Sequence, residues 1–131
     1  MSGLSGDKIL VTGALGQIGT ELVEALRKKH GASSVIASDL RPVDQVDGSQ
    51  GPYIQLDVLD TDLIIKVCKE EGVGTVYHLA ALLSATGEKN PELCRKVNVG
   101  GTFSVFEAAR QCSMRVFTPS SIAVFGPDAP K

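Results

Sequence analysis

The sequence predicts an α/β protein: a mainly parallel sheet with helices packed on its faces. Three observations carry this. Short β-branched runs alternate with helix-period runs from end to end of the 131 residues. Of the strand runs, Lys8–Thr12 is continuously apolar, as strands buried on both faces are. The first of them passes into a helix through a turn containing three glycines. Parallel neighbours need a crossover between them, and such crossovers are right-handed. The length suits a single domain, 1–131, with one hydrophobic core.

In chain order, Lys8–Thr12 is the first strand, followed by a helix from Gln17 to Lys29. Ile18, Leu22, Ala25, Leu26 and Lys29 are spaced along one face of that helix, and Gly31 suits its C-cap. The second strand is Ser34–Asp39. Residues 40–51 contain Pro42, Gly48 and Gly51 with no apolar period, and are predicted as loop. A third strand covers about Tyr53 to Val58. Asp60 or Thr61 then caps a helix with the stripe Leu63, Ile64, Val67 and Cys68, ended by Gly72-Val73-Gly74. Thr75–Ala80 is the fourth strand and Leu82–Lys89 a loop. Asn90-Pro91-Glu92 opens the next helix, since Asn caps well, Pro suits the first helical position and an acid favours the positive end. That helix runs to about Gln111 and is expected to bury Leu93, Val97, Gly101, Val105, Ala108 and Cys112. Gly100-Gly101 in its middle costs stability relative to Ala, so another helix or the sheet is expected to approach closely there. Arg115–Thr118 is the fifth strand and leads into Pro119-Ser120-Ser121.

Composition narrows the function classes. Apolar residues make up 43% and charged residues 21%, ordinary for a soluble globular chain. The formal charge is −2 and Lys and Arg are scattered, which argues against a nucleic-acid or membrane-surface partner. The longest basic run, Arg27-Lys28-Lys29, falls at a helix end, where cations oppose the macrodipole. Cys68, Cys94 and Cys112 are odd in number, lack C-x-x-C spacing and fall on predicted helices. That pattern fits small apolar residues in a reducing compartment, with no disulfide framework and no metal site. No apolar run reaches the roughly 18 residues that span a bilayer. The leader Met1–Gly6 is small and polar. A cytoplasmic setting is expected, with the mitochondrial matrix as the alternative if a presequence was removed.

The chemistry concentrates at strand ends. Thr12-Gly13-Ala14-Leu15-Gly16-Gln17-Ile18-Gly19 joins the first strand to the first helix. Glycine is needed there for a sharp turn, for close approach of backbone N–H groups to a pyrophosphate, and for close helix–strand packing. The helix N-terminus adds free donors and partial positive charge. Asp39 ends the second strand 20 residues after Gly19. A carboxylate in that register accepts from the adenosine ribose hydroxyls and repels a 2′-phosphate, favouring NAD over NADP. Arg41 is a cation that can attract such a phosphate, and Asp39 as a simple turn residue is the competing reading. Together these features predict a Rossmann-type, doubly wound nucleotide-binding sheet. Asp57-Val58 is open to two readings, adenine contact beyond a strand end or a cap for the next helix. Leu79-Ala80-Ala81 reads as a cofactor-lining strand end or as a plain apolar one. His78 reads as a buried, hydrogen-bonded histidine before it reads as a base. Ser120-Ser121 offers hydroxyls to a substrate oxygen, or is an ordinary turn.

With these residues in place the chain resembles the extended short-chain dehydrogenase/reductases. The strings that carry the resemblance are Thr12-Gly13-x-x-Gly16-x-x-Gly19, Asp39, Asp57-Val58, His78-Leu79-Ala80-Ala81, Asn98-Val99-x-Gly101-Thr102 and Ser120-Ser121-x-x-Val124-Phe125-Gly126. Gly13–Gly19, Ala81-Leu82-Leu83-Ser84-Ala85 and Pro119–Gly126 are most similar to the short-chain-type L-threonine 3-dehydrogenases. That resemblance implies oxidation of L-threonine to 2-amino-3-oxobutanoate with NAD, and a homodimer for a full-length form. It implies pyrophosphate held by Gly13, Leu15, Gly16, Gln17, Ile18 and Gly19, ribose by Asp39, Leu40 and Arg41, and adenine by Asp57 and Val58. It places Leu79, Ala80 and Ala81 along the cofactor and Asn98 in support. Ser84 is implied as a substrate contact, and Ser121 as the catalytic hydroxyl that also contacts substrate.

One departure matters. The family's general base is the Tyr of a Tyr-x-x-x-Lys pair, and the tyrosines here, Tyr53 and Tyr77, are followed four residues later by Asp57 and Ala81. Losing a general base removes roughly 10²–10⁴-fold of rate. The expectation is a truncated chain, inactive alone, whose fifth strand is an apolar sheet edge. Two other readings stand beside it: a nucleotide-sugar epimerase or dehydratase of the same extended family, and a non-catalytic NAD-binding remnant.

Overall fold

The computed structural model describes residues 8–80 and 90–119. Its strands are β1 (Lys8–Thr12), β2 (Val35–Asp39), β3 (Tyr53–Gln55), β4 (Val73–His78) and β5 (Arg115–Phe117). Its α-helices are α1 (Gln17–His30), α2 (Thr61–Glu71) and α3 (Pro91–Cys112). The five strands lie in the order β3-β2-β1-β4-β5, every pair parallel. The chain therefore steps outward from β1 to β3, then returns across β1 to lay down β4 and β5 on the other side. Strand order reverses between β1 and β4, and open α/β sheets bind their ligands beyond the strand ends at such a reversal.

Side-chain alternation along β1 divides the core into two layers. Leu10 points to the face covered by α2 and α3, where Ile36, Ile64, Val76, Val105 and Ala108 are buried with it. Ile9 and Val11 point to the other face, with Val23 and Leu26 of α1, Val35 and Ala37. Cys68 sits in the first layer, where burial, and after it the neighbouring Cys112 thiol, pushes its thiol up to about 12. All three cysteines are free. No described helix is long and apolar enough to cross a membrane.

Local signals fix the helix ends. The Asp60 side chain accepts from Leu63 N at 3.1 Å and Asn90 from Leu93 N at 3.2 Å, while Gly72, at φ 70°, closes α2 in the left-handed conformation. Val73 then starts β4 at once, two residues earlier than the Gly74 signal suggested, because its side chain belongs to the core. β3 is shorter than predicted and stops at Gln55, so Asp57-Val58 lies in the turn that follows it. β5 ends at Phe117. Residues 40–51 hold two short 3-10 turns, Val43–Gln45 and Gly48–Gln50.

Two predicted stripes shift. On α1 the buried positions are Gly19, Val23 and Leu26, with Ile18 66% exposed and Ala25 and Lys29 at the surface. The glycine turn sets the rotation of α1, because Gly19 must face the turn and so points Ile18 to solvent. On α3 the residues buried are Gly101, Ser104, Val105 and Ala108, whereas Leu93 is exposed and Val97 and Cys112 are half-buried. Val99, Phe103 and Phe106 stand on its exposed side. Within the basic run, Arg27 does more than oppose the dipole. Its guanidinium donates to Val35 O at 3.0 Å and Pro52 O at 2.6 Å, tying α1 to the starts of β2 and β3.

The layer assignment makes a paired prediction. Ile64→Ala, at a fully buried position, lowers unfolding free energy by about 2–5 kcal/mol in urea titration. Ile18→Ala, on the face the sequence period put inside, changes it by less than about 0.5 kcal/mol.

Candidate functional site

The end of β1 runs directly into the strand-order reversal. Gly13 has φ +66°, and a Cβ there would lie 2.7 Å from Ala80 N and 2.8 Å from Leu79 C. No side chain fits between the two strand ends. A Cβ on Gly19 would run into Gly13 O and lie 2.8 Å from Ala14 Cα, so α1 can start this close to β1 only with glycine at that position. Gly16 is the N-cap residue of α1 and provides no side-chain cap, and the first turn of α1 holds no acidic residue. By contrast α2 and α3 have Asp60 and Asn90 caps, with Asp62 and Glu92 in their first turns. No side chain of α1 itself therefore caps its first amides or offsets the partial positive charge at its start.

Thr12 ties the two strand ends together. Its Oγ1 accepts from Leu79 N at 3.1 Å and Ala80 N at 3.2 Å and lies 2.8 Å from His78 Nδ1. The Thr12 hydroxyl and the His78 ring thus pair with each other in the buried interior, and Leu79 N also reaches the Thr12 carbonyl at 3.2 Å. His78 is 3% exposed, and burial holds its pKa below the ordinary value. It is the buried, bonded histidine the sequence suggested. Thr12 had been read only as part of the motif, and a buried Thr beside three glycines was the signal for more.

Asp39 ends β2 with both carboxylate oxygens engaged. Oδ2 accepts from Leu15 N at 3.0 Å, across to the glycine turn, and Oδ1 accepts from Leu40 N at 2.7 Å. Leu15, Gly16, Asp39, Leu40, Arg41, Pro42 and Gln45 line an open cleft of about 490 Å³. Behind it, Tyr53 Oη donates to Arg41 O at 2.7 Å and Gln55 Nε2 to Leu40 O at 3.2 Å. Sequence reasoning singled out neither β3 residue.

The turn after β3 completes the rim. Asp57 Oδ1 accepts from Leu59 N at 2.9 Å, so its carboxylate shapes its own turn, and the cap of α2 is Asp60. Val58 is buried against α3, where a Cβ on Gly101 would lie 2.7 Å from Val58 Cγ2 and one on Gly100 2.9 Å from Leu59 Cδ2. The glycine pair does mark a close approach, but the turn after β3 makes it rather than a helix or the sheet, whose His78 Cε1 would lie 3.6 Å from a Cβ on Gly101. Asn98 lies three residues earlier on α3 and donates to Cys94 Sγ at 3.2 Å. Ala81, Ser84, Ser120 and Ser121 lie outside the described residues. No cluster of three or more potential metal ligands occurs among the described residues.

The family model for the NAD-dependent epimerase/dehydratase family matches residues 9–131. The chain belongs to that family. The family's cofactor is NAD, and the crevice fits it: backbone where a Cβ would collide, an uncapped helix start, and a carboxylate at the end of β2. An uncharacterized epimerase/dehydratase of Staphylococcus aureus (strain USA300) is 46% identical over 125 residues, 95% of this chain and 39% of that protein. Among solved structures, L-threonine dehydrogenase from Phytophthora infestans is 45% identical with a TM-score of 0.86, covering 95% of this chain and 39% of that one. L-threonine dehydrogenase from Clostridium difficile is 42% identical with a TM-score of 0.88, covering 96% and 40%. A UDP-glucose-4-epimerase from Stenotrophomonas maltophila with bound NAD, 24% identical with a TM-score of 0.78, shares the fold. The chain thus spans about 39% of the length of the relatives it matches.

For this member of the family, Gly19→Ala is expected to abolish NAD binding in calorimetry, because the new methyl must displace the Gly13 carbonyl. The His78 ring makes a pH prediction. Its folded pKa lies below the unfolded value near 6.5, so its contribution is whole above about pH 6.5 and is lost as pH falls toward the folded pKa. Chemical unfolding at about pH 7 and about pH 5.5 should show the fall, and His78→Asn should flatten it.

Proposed function

We propose that the chain forms one nucleotide-binding domain that holds NAD across the ends of β1, β2 and β4, within an oxidoreductase acting on L-threonine. The uncapped start of α1 facing the Asp39 cleft is the observation that carries the reading. The amides of Gln17, Ile18 and Gly19, with the bare backbone of Gly13 and Gly16, receive the pyrophosphate. Leu15 belongs to the same turn. Asp39, with Leu40 and Arg41, takes the adenosine ribose. The Asp57-Val58 turn, with Val58 seated at Gly101 of α3, borders the adenine, and Asn98 of the same helix supports the site. Leu79, Ala80 and Ala81 run beside the nicotinamide half.

NAD supplies the hydride acceptor. The protein's tasks are to orient the substrate hydroxyl and to take its proton. In this reading Ser84 contacts the substrate and the Ser121 hydroxyl hydrogen-bonds the oxygen being oxidised. Proton removal falls to a Tyr-x-x-x-Lys pair, which these 131 residues do not contain. The substrate reading is supported by identities of 42–50% to L-threonine dehydrogenases, against 22–24% to UDP-glucose epimerases. In a longer chain, the exposed Val99, Phe103 and Phe106 of α3 suit a homodimer contact.

Calorimetry should show NAD binding to the chain, weakened by about 10–100-fold in Asp39→Ala, the scale of hydrogen bonds to a charged group. Absence of binding, or full affinity in Asp39→Ala, defeats the cofactor reading. With L-threonine and NAD, absorbance at the NADH band should not rise for these residues alone. In a longer chain containing them, threonine-dependent NADH supports the substrate reading, and product formation from nucleotide sugars instead replaces it.

A further inference from the structure

We propose that Tyr53 and Gln55 of β3 are positioning residues that set the choice between NAD and NADP, by pinning the Leu40–Arg41 backbone; this rests on the cleft being the adenosine site. The carbonyl of Leu40 accepts from Gln55 Nε2 at 3.2 Å and that of Arg41 from Tyr53 Oη at 2.7 Å. Leu40 N in turn donates to Asp39 Oδ1 at 2.7 Å. Three successive bonds therefore fix the short stretch that carries the two opposed charges of the cleft, Asp39 and Arg41.

Those charges have opposite effects on the one feature that separates the two nucleotides. The Asp39 carboxylate accepts from a ribose hydroxyl and repels a phosphate, whereas the Arg41 guanidinium attracts one. Which effect dominates depends on where the Arg41 backbone is held relative to Asp39. β2 and β3 pair through Ala37–Tyr53, Ser38–Ile54 and Asp39–Gln55, so the ladder ends level with Asp39. Beyond it, Leu40 and Arg41 have no strand partner, and the Tyr53 and Gln55 side chains take over from the ladder.

Tyr53 is suited to this. Burial, and after it the Asp39 carboxylate, pushes its phenol above the ordinary range against a smaller opposing pull from Arg41. It therefore stays a protonated donor at neutral pH. Its ring packs on the α1 layer of the core, which anchors the hydroxyl. Pro42, next in the chain, fixes its own φ and cannot compensate with an N–H donor.

The test is calorimetry of the 131-residue chain with NAD, NADP and inorganic pyrophosphate, for the unaltered protein, Tyr53→Phe and Gln55→Leu. Tyr53→Phe keeps the ring and removes only the donor. Gln55 is exposed, so its replacement spares the core. Each variant is expected to bind NAD about five- to tenfold more weakly. NADP affinity should hold or rise, so that the NAD-to-NADP ratio falls, with pyrophosphate binding unchanged. An unaltered ratio in both variants overturns the inference while leaving the cofactor reading intact. An equal loss for NAD and NADP also overturns it, since that is what a merely structural role gives. If the unaltered chain binds no NAD, the cofactor reading fails and this inference with it.

Discussion

Gly13 puts the end of β1 against the backbone of Leu79 and Ala80, at a distance where no Cβ can stand. That contact closes the gap where strand order reverses, and the rest of the crevice is arranged around it. The Thr12 hydroxyl secures it from the β1 side by accepting the Leu79 and Ala80 amides, and His78 completes the hydroxyl's bonding. Gly19 carries the same closeness into α1, whose first turn lies against Gly13 and Ala14. The helix start that faces the crevice is therefore aimed by backbone packing, with no side chain between it and the sheet. Replacing any part by a larger residue moves the donors as well as the wall.

Asp39 links this rigid centre to the more exposed rim. One carboxylate oxygen holds Leu15 of the glycine turn and the other holds Leu40. Each oxygen keeps a second lone pair, so the same group can brace the turn and still accept from a ribose hydroxyl. Under the proposed ribose contact, its effect on nucleotide affinity is the sum of a direct bond and a geometric one.

The sheet, its parallel pairing and the three α-helices were legible in the sequence because each rests on a local signal. A continuous apolar run marks β1, Asn90-Pro91-Glu92 marks the start of α3, and the Gly100-Gly101 pair marks a close approach whose partner, the Val58-Leu59 turn, it does not identify. Failures came where a distant contact outvoted local period. Ile18 fits the apolar stripe of α1, yet the need for Gly19 to face the turn rotates it outward. β3 reads as six residues long because Leu56 and Val58 are apolar and buried, but Leu56 N makes the last bond to β2, at Asp39 O, and Val58 is buried in the turn beyond it against Gly101 of α3. Of the site, glycines and Asp39 were readable from spacing. Tyr53 and Gln55 were not, since their partners are carbonyls about a dozen residues away, set by the β2–β3 register.

The residues on the crevice divide by what they can do to a reaction. Under the proposed reading, backbone amides, glycines, Asp39 and the Val58 turn touch parts of a dinucleotide that do not change during hydride transfer. Interactions of that kind stabilise ground state and transition state alike, which tightens binding without accelerating chemistry. Acceleration needs groups that meet charge as it develops at the substrate oxygen: a hydroxyl to hold it and a base of matched pKa to take its proton. His78 does not supply the base, because its Nδ1 is occupied by Thr12 and its ring is sealed in the core. The same burial that makes the crevice a dependable cradle thus removes the one imidazole near it from acid–base work.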